Sequence, residues 1–315
     1  MNQVAEQVVI LVGMMLVGFI ASKAKIITSD GRSVLTRLVL YVTQPFLVIN
    51  SFQMDYSADL ARNMAIVALI AALTMGASYL LGMVMWQRGD DGKRRVLWQA
   101  TVFSNCGFMG IPVMQSLFGE TGVIYVSVYV LVFTVFVWTV GVYICAGKTG
   151  TWKEIFLQPG LIAVIIGILM FAFGWKLPQW AATKLTTGLG SLTTPLAMMI
   201  VGALMAEGDI RHALREWTVF AAAAVRLVLL PALVLGAMWL AWHFGLPGMP
   251  AVDSPAFVTC VLLGAMPVAA NVAIFASMYS IKPQYASHTV LVSTLFSMVT
   301  VPLWMFVMHA LAGGS

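Results

Sequence analysis

Charged residues are scarce in this chain of 315 amino acids. Asp, Glu, Lys and Arg together make up 9% of it, whereas apolar residues make up 61%. A soluble domain has roughly 25% charged residues, so water cannot be the main solvent of this protein. A helix needs about 20 apolar residues to span a bilayer. The composition therefore predicts an all-α membrane protein with room for roughly ten spans and none for a soluble domain.

Residues that would carry enzymatic chemistry are also few. The chain has three cysteines, all in apolar segments, and four histidines. The spacing of the cysteines matches neither a metal site nor a disulfide framework, and the histidines fit neither an HExxH motif nor the Ser–His arrangement of a hydrolase. None of the twelve acidic residues falls deep in an apolar run. We therefore expect no enzymatic activity, no metal and no cofactor, and we do not expect the paired-Asp chemistry of sodium/proton antiporters.

Apolar runs separated by charged, Gly and Pro breaks define the predicted spans. The first run has no preceding Lys or Arg, unlike a secretory signal, so we interpret it as a retained span. The predicted spans are 4–21, 34–52, 63–86, 97–117, 122–145, 159–175, 187–206, 217–242, 255–279 and 286–311. The odd-numbered loops hold twelve Lys and Arg residues and the even-numbered loops hold three. This bias places the odd loops in the cytoplasm and both termini outside.

The two halves of the chain resemble each other. VTQPFLVINSF (42–52) aligns with LTTPLAMMIVG (192–202), which places Pro45 over Pro195, and VFTVFVW (132–138) aligns with LFSMVTV (295–301). This similarity predicts a five-helix repeat over 1–146, a short cytoplasmic linker over 147–158 and a second five-helix repeat over 159–315. An odd number of spans inverts the second repeat. Inverted repeats are typical of transporters, whose substrate site lies near the midplane.

Helix-breaking residues cluster in the fourth and ninth spans. SNCGFMGIP (104–112) contains Asn105, Gly107, Gly110 and Pro112, and GAMPVAAN (264–271) contains Pro267 and Asn271. Gly costs about 1 kcal/mol in a helix, and Pro267 frees the carbonyl of residue 263. Pro and Gly are common in membrane helices, but matched breaks in corresponding spans point to a binding site. The helix N-termini opened there favour an anion.

Two further polar residues are candidates for the same site. Arg226 lies about nine residues, or roughly 13 Å, into the eighth span. It is interpreted either as a counter-charge for an anionic substrate or as a side chain that snorkels to the headgroups. Asn50 in the second span could line a cavity or act as a polar contact between helices; we favour the cavity.

The motifs of the broken spans resemble those of the auxin efflux carrier family, within the group that includes bile-acid/sodium symporters. The most specific match is NCGFMGIP (105–112) followed by FGETG (118–122), and MPVAANVAIFASMY (266–279) matches more loosely. The resemblance covers the whole chain. It implies ten spans, a scaffold and a transport domain, crossing fourth and ninth helices, and elevator-like motion. Family substrates are small organic anions: auxin in plants and dicarboxylates such as malonate in some bacterial relatives.

Individual site residues can be carried over from this resemblance. Asn105 matches the crossover Asn that lies beside the substrate carboxylate in the plant exporters, and Pro267 matches their ninth-span Pro. Ser104 stands where the plant exporters have Pro, and the short loop at 147–154 looks bacterial. The full set of expected substrate-binding residues is Asn105, Ser104, Gly107, Gly110, Pro112, Pro267, Asn271, Asn50 and Arg226.

We therefore expect a secondary transporter in a bacterial cytoplasmic membrane. Its substrate would be a carboxylate or dicarboxylate such as malonate or malate, with auxin less expected. A ligand-binding sensor on the same fold and a sodium-coupled organic anion symporter are the alternatives. The expected partners are the substrate and the lipid bilayer, with no nucleic acid; a homodimer stays open, as do the coupling ion and the direction of transport.

Overall fold

A computed structural model of the protein describes residues 2–55, 57–146, 157, 159–207 and 215–313. Within these residues the regular secondary structure is helical, with one isolated antiparallel bridge and no strands. This confirms the all-α prediction for the described part of the chain. The predicted linker 147–158 lies outside the described residues except for Leu157.

The helices follow the apolar runs of the sequence to within a few residues at most boundaries. They are α1 (Asn2–Lys23), α2 (Ser29–Ser51), α3 (Ala58–Met85), α4 (Asp91–Val102), α5 (Cys106–Ala146), α6 (Pro159–Phe173), α7 (181–190), α8 (Thr193–Glu207), α9 (Trp217–His243), α10 (Pro255–Gly264), α11 (Ala270–Met278) and α12 (Pro283–Gly313). Six segments of the described residues are long and apolar enough to cross a bilayer: Ser29–Ser51, Ala58–Met85, Cys106–Ala146, Lys184–Ala206, Trp217–His243 and Pro283–Met308. Shorter apolar helices are Val9–Lys23, Pro159–Phe173 and Pro255–Gly264.

Three prolines inside these helices each follow a wide, π-helical turn. The turns are Val39–Thr43, Cys106–Gly110 and Val225–Leu229, and the proline is the second residue after each. Proline lacks an N–H and its ring clashes with the carbonyl four residues earlier, and a wider turn accommodates both defects. The carbonyl freed by Pro231 belongs to Leu227 and accepts a 2.7 Å hydrogen bond from the Trp304 indole.

The longest helix, α5, is divided by a glycine. Its 41 residues would extend about 60 Å if straight, twice the roughly 30 Å of a bilayer core. Gly119 interrupts it with φ 57° and ψ −138°, a conformation essentially open only to glycine. After this turn Gly122 lies so close to the earlier part that a Cβ there would stand 2.2 Å from the Met114 carbonyl oxygen. The FGETG motif is therefore a tight turn.

The described residues form two compact units, each assembled from both halves of the chain. The first comprises Met1–Ala65, Gly107–Leu131 and Trp152–Glu207. Within it α1 packs tightly against α8. A Cβ on Gly202 would stand 1.8 Å from the Met15 carbonyl oxygen, and one on Gly18 would stand 2.1 Å from that of Met199. Only glycine permits this backbone-to-backbone approach, which small residues provide in membrane helices.

The second unit comprises Ile66–Cys106, Val132–Thr151 and Gly208–Ser315. Polar side chains connect its helices from within. The Trp98 indole donates to the Tyr79 carbonyl and joins α4 to α3 over 2.9 Å. The Gln99 amide donates to the Gly141 carbonyl at the same distance and joins α4 to α5. Gln99 is buried, so these bonds satisfy polar groups that would otherwise be costly in an apolar interior.

Candidate functional site

Two extended segments of the second unit meet where helical structure stops. Helix α4 ends at Val102 and α5 begins at Cys106, while α10 ends at Gly264 and α11 begins at Ala270. We call residues 103–105 and 265–269 together the crossover. The Asn105 N–H donates to the Pro267 carbonyl over 2.7 Å, and the Ala269 N–H donates to the Phe103 carbonyl over 2.9 Å. These two bonds pair the segments antiparallel, with Ser104 opposite Val268.

The residue types at the crossover explain why the helices stop there. Pro267 has no N–H to donate to a preceding turn, and Ser and Asn side chains compete for backbone hydrogen bonds in non-helical conformations. The backbone at Phe103 is already extended, with φ −102° and ψ 111°. Because the two segments satisfy part of each other's backbone, the unwound chain is tolerated in an apolar interior.

One polar side chain of the crossover is buried without a partner. Ser104 is 1% exposed, and its hydroxyl makes no hydrogen bond among the described residues. On the opposite segment the Val268 N–H donates to the Ser293 hydroxyl over 3.1 Å, and Ser293 donates to the Val290 carbonyl. Asn105, adjacent to Ser104, is 6% exposed. The crossover therefore holds hydrogen-bonding capacity that the described residues leave unused at Ser104.

Arg226 is fully enclosed beside the crossover. It lies on the π-helical turn of α9 and is 1% exposed. Its Nε donates to the Met266 carbonyl at 3.1 Å, its Nη1 to the Thr101 carbonyl at 3.0 Å, and its Nη2 to the carbonyls of Gly264 at 3.1 Å and Leu263 at 3.4 Å. The side chain therefore does not snorkel towards a headgroup region in this structure. One of its acceptors is the residue 263 carbonyl that Pro267 leaves free.

The remaining predicted residues are placed differently. Asn271 is the second residue of α11 and is half-buried. Gly107, Gly110 and Pro112 lie in the first helical turns of α5 and belong to the first unit. The structure thus joins Ser104, Asn105, Pro267 and Arg226 through direct backbone or side-chain contacts of the crossover.

Asn50 belongs to the first unit and takes part in a contact between helices. Its side-chain oxygen accepts hydrogen bonds from the hydroxyls of Thr186 at 2.8 Å and Thr187 at 3.3 Å. Both threonines lie on α7, so Asn50 connects α2 to α7. This is the arrangement expected of a polar interhelical contact.

Sequence reasoning missed a row of hydroxyls on α12. Thr289, Ser293 and Ser297 recur every fourth residue and are buried, and Ser293 reaches the crossover backbone. The available signal was this spacing, which places all three on one helical face. Among the described residues, no three His, Cys, Asp or Glu side chains are grouped so that they could hold a metal ion.

The aligned motifs of the two halves share a buried, unpartnered hydroxyl in the first unit. Thr43 and Thr193 each stand two residues before the aligned prolines Pro45 and Pro195. They are 1% and 2% exposed, and neither hydroxyl has a hydrogen-bond partner among the described residues. The two motifs are therefore similar both in residue type and in the burial of an unpartnered threonine hydroxyl.

Known proteins resemble this chain over nearly its whole length. Residues 3–151 and 148–305 match the family model described as membrane transport protein. An uncharacterized transporter of Methanothermobacter thermautotrophicus is 27% identical over 96% of this chain and 98% of its own. An uncharacterized transporter of Methanocaldococcus jannaschii is 24% identical over 95% and 97%. A Rhizobium meliloti protein named "Putative malonate transporter" is 22% identical over 96% and 94%.

Proposed function

This chain belongs to the membrane transport protein family, and from that membership and the crossover geometry we propose that it is a secondary transporter for a small organic anion. It is an integral membrane protein that acts on a small molecule within a lipid environment. The observation that carries the proposal is the pairing of two interrupted helices through Asn105 and Pro267. Unwound backbone inside a membrane protein is typical of transporter substrate sites.

The chemistry of the crossover favours a carboxylate. Helices α5 and α11 begin there, and each helix N-terminus carries roughly half a positive charge and unpaired N–H groups. The Ser104 hydroxyl and the Asn105 amide add neutral donors, and Asn271 adds another within the first turn of α11. A carboxylate oxygen accepts several such bonds at once. Gly107, Gly110 and Pro112 stay proposed substrate-binding residues because they follow the break at Asn105 in the sequence.

A dicarboxylate of malonate or malate size is the proposed substrate. The name of the Rhizobium meliloti relative supports this class. A buried site favours a small substrate, and Ser104, Asn105 and Pro267 all lie in the interior. Auxin stays less expected because Ser104 replaces the proline of the plant exporters.

The proposed mechanism is elevator-type alternating access by ten spans in two inverted five-helix halves. The repeat is supported by the aligned prolines and by the matched environments of Thr43 and Thr193. A division into scaffold and transport domains is supported by the two compact units, each built from both halves of the chain. We place the protein in the bacterial cytoplasmic membrane with both termini outside, and we propose no enzymatic step.

The proposal is tested by reconstituting the protein in liposomes and recording charge movement on solid-supported membranes. Monocarboxylates, dicarboxylates and indole acetate are added at fixed Na⁺ and pH, to the wild type, Asn105→Ala and Asn63→Ala. Asn63 is a matched control because its amide contacts Tyr125 in the first unit. We expect a saturable carboxylate current that Asn105→Ala abolishes and Asn63→Ala retains.

Other outcomes separate the alternatives. A saturable current that Asn105→Ala leaves intact would place the substrate site elsewhere. A current that disappears when K⁺ replaces Na⁺ in a second series of recordings would identify the sodium-coupled symporter. If no current is recorded but a ligand raises the thermal stability, the protein is either an electroneutral exchanger or a sensor. Counterflow of labelled ligand occurs only in the exchanger, so its absence would contradict transport.

A further inference from the structure

We propose that Arg226 is a positioning residue whose buried charge makes the crossover selective for anions. In this role it does not bind the substrate; it neutralises the carbonyl ends of two interrupted helices. The inference rests on the proposed function, because it assigns the origin of charge selectivity to the same site. Its basis is the set of hydrogen bonds that the guanidinium makes in the second unit.

The acceptors of Arg226 are the ends of two different helices. Thr101 is the penultimate residue of α4, and Leu263 and Gly264 are the last two residues of α10. The last carbonyls of a helix have no partner within it, and at both ends one guanidinium provides the missing donors. The Nε bond to Met266 continues this capping into the crossover itself.

The electrostatic consequence follows from the helix dipoles. The C-terminal end of each helix carries roughly half a negative charge, and each N-terminal end carries roughly half a positive charge. Two C-terminal ends (α4 and α10) and two N-terminal ends (α5 and α11) flank the crossover, so without Arg226 these partial charges would cancel. Arg226 adds one positive charge beside the carbonyl ends. This charge offsets the negative partial charge of the carbonyl ends, so the positive N-terminal ends of α5 and α11 act on a bound anion without that opposing charge.

The geometry requires an arginine in particular. A guanidinium presents five N–H donors in a rigid, planar fork, whereas lysine presents a single compact ammonium. The four carbonyls that Arg226 reaches lie on two helices and on the crossover, and one ammonium cannot contact them all. Arg226→Lys therefore keeps the charge and loses part of the capping, while Arg226→Gln removes the charge and keeps some donors.

The test compares substrates that differ in charge. Flux of malonate, propionate and uncharged malonamide is measured in proteoliposomes of the wild type, Arg226→Gln, Arg226→Lys and Arg226→His. Arg62→Gln is the control, since Arg62 is half exposed and pairs with Asp59. We expect Arg226→Gln to raise the KM for malonate roughly tenfold, within the range of helix-end charge effects, and to reduce discrimination against malonamide. Arg226→Lys should keep that discrimination while its maximal flux falls.

Arg226→His allows a measurement, the pH dependence of propionate binding, that a purely structural role of residue 226 would leave unchanged. The ordinary imidazole pKa of about 6.5 lies between pH 6 and pH 8; burial at position 226 lowers it and the surrounding carbonyl acceptors raise it, whereas propionate is ionised at both pH values. The variant should therefore bind propionate more tightly at pH 6 than at pH 8, and the wild type should show a smaller difference. Both pH values are measured on the same sample of Arg226→His, so differences in folding between variants do not enter this comparison.

The outcomes are distinguishable from failure of the proposed function. Wild-type anion flux combined with unchanged selectivity in Arg226→Gln, or with a pH-independent preference in Arg226→His, would overturn only the role of Arg226. Absence of both anion flux and anion-induced thermal stabilisation in the wild type would overturn the proposed function and this inference together.

Discussion

The backbone N–H of Asn105 and the carbonyl of Pro267 are joined by a 2.7 Å hydrogen bond. The two residues belong to motifs that are far apart in the sequence, and each lies where a helix is interrupted. Together with the bond from Ala269 to Phe103, this contact holds the two unwound segments side by side. Ser104 stands between the two bonds, so its backbone is held beside the starts of two helices.

Replacement of Ser104 by alanine should weaken substrate binding without destabilising the fold. Its buried hydroxyl makes no hydrogen bond among the described residues, so little is lost from the folded protein. A hydrogen bond to a charged group contributes about 1.5–3 kcal/mol, so the KM for a carboxylate should rise by about tenfold or more. Transport assays give the KM, and thermal unfolding in detergent gives the stability. An unchanged KM would exclude Ser104 from the site.

Ser293→Ala is the matched control for this prediction, and it should destabilise the fold. The Ser293 hydroxyl accepts the Val268 N–H, and its loss leaves a buried donor unsatisfied at a cost of about 1–3 kcal/mol. We therefore expect a lower Tm for Ser293→Ala than for Ser104→Ala. Equal Tm values would contradict the hydrogen bonding described for the crossover.

Alanine at Gly119 should destabilise the protein. The φ of 57° and ψ of −138° are strained for any residue with a Cβ, at a cost of about 1–3 kcal/mol. The Tm of Gly119→Ala should therefore fall. Gly76→Ala on α3 serves as the comparison, because a Cβ there meets nothing within 4 Å and alanine favours helices. A Tm for Gly119→Ala as high as that of Gly76→Ala would show that the turn at 118–122 has another conformation.

The contact between α1 and α8 predicts that Gly202→Ala is also destabilising. Its Cβ would stand 1.8 Å from the Met15 carbonyl oxygen, so the two helices must move apart, and overpacking costs typically 1–3 kcal/mol. Gly18→Ala should act at the same interface, and the double variant should deviate from additivity. Gly13→Ala on the same helix has open space and should leave the Tm unchanged. Strict additivity of Gly18→Ala and Gly202→Ala would argue against a shared interface.

Asp90 at the start of α4 should give the stability a pH dependence. The Lys93 backbone N–H, 2.9 Å from the Asp90 carboxylate, holds its pKa below the ordinary value, and the Lys282 ammonium acts in the same direction. A lowered pKa contributes stability that is present above the unfolded pKa and is lost as the pH falls through the folded one.

Asp90→Asn isolates this effect, because asparagine also caps helices but does not titrate. The wild type should have the higher Tm near pH 6, and the difference should shrink as the pH falls below about 4, the ordinary pKa of Asp. High salt should remove the part due to Lys282. A difference that persists unchanged at low pH would mean that the carboxylate charge is not its cause.

Local sequence features were sufficient to predict most helix positions. Long apolar runs require helices because no other open structure satisfies its backbone in lipid, and the observed bounds follow these runs. The turn at Gly119 lies between the predicted fourth and fifth spans. Pro267 and the glycines of 104–112 were recognisable as breaks because each removes a donor or adds backbone freedom. The ten-span inverted repeat and the substrate stay predictions.

The sequence by itself determined where the backbone cannot remain a simple helix. It also determined that Pro267 frees the carbonyl of residue 263. The tertiary structure decided which groups satisfy that carbonyl and its neighbours: Arg226 from α9 and the paired segment around Asn105. The physical reason is that a break is a local property of residue types. The partners of the freed backbone groups depend on which distant helices pack there. No spacing along the chain shows that Arg226, Ser293 and Trp304 are the side chains that bond to them.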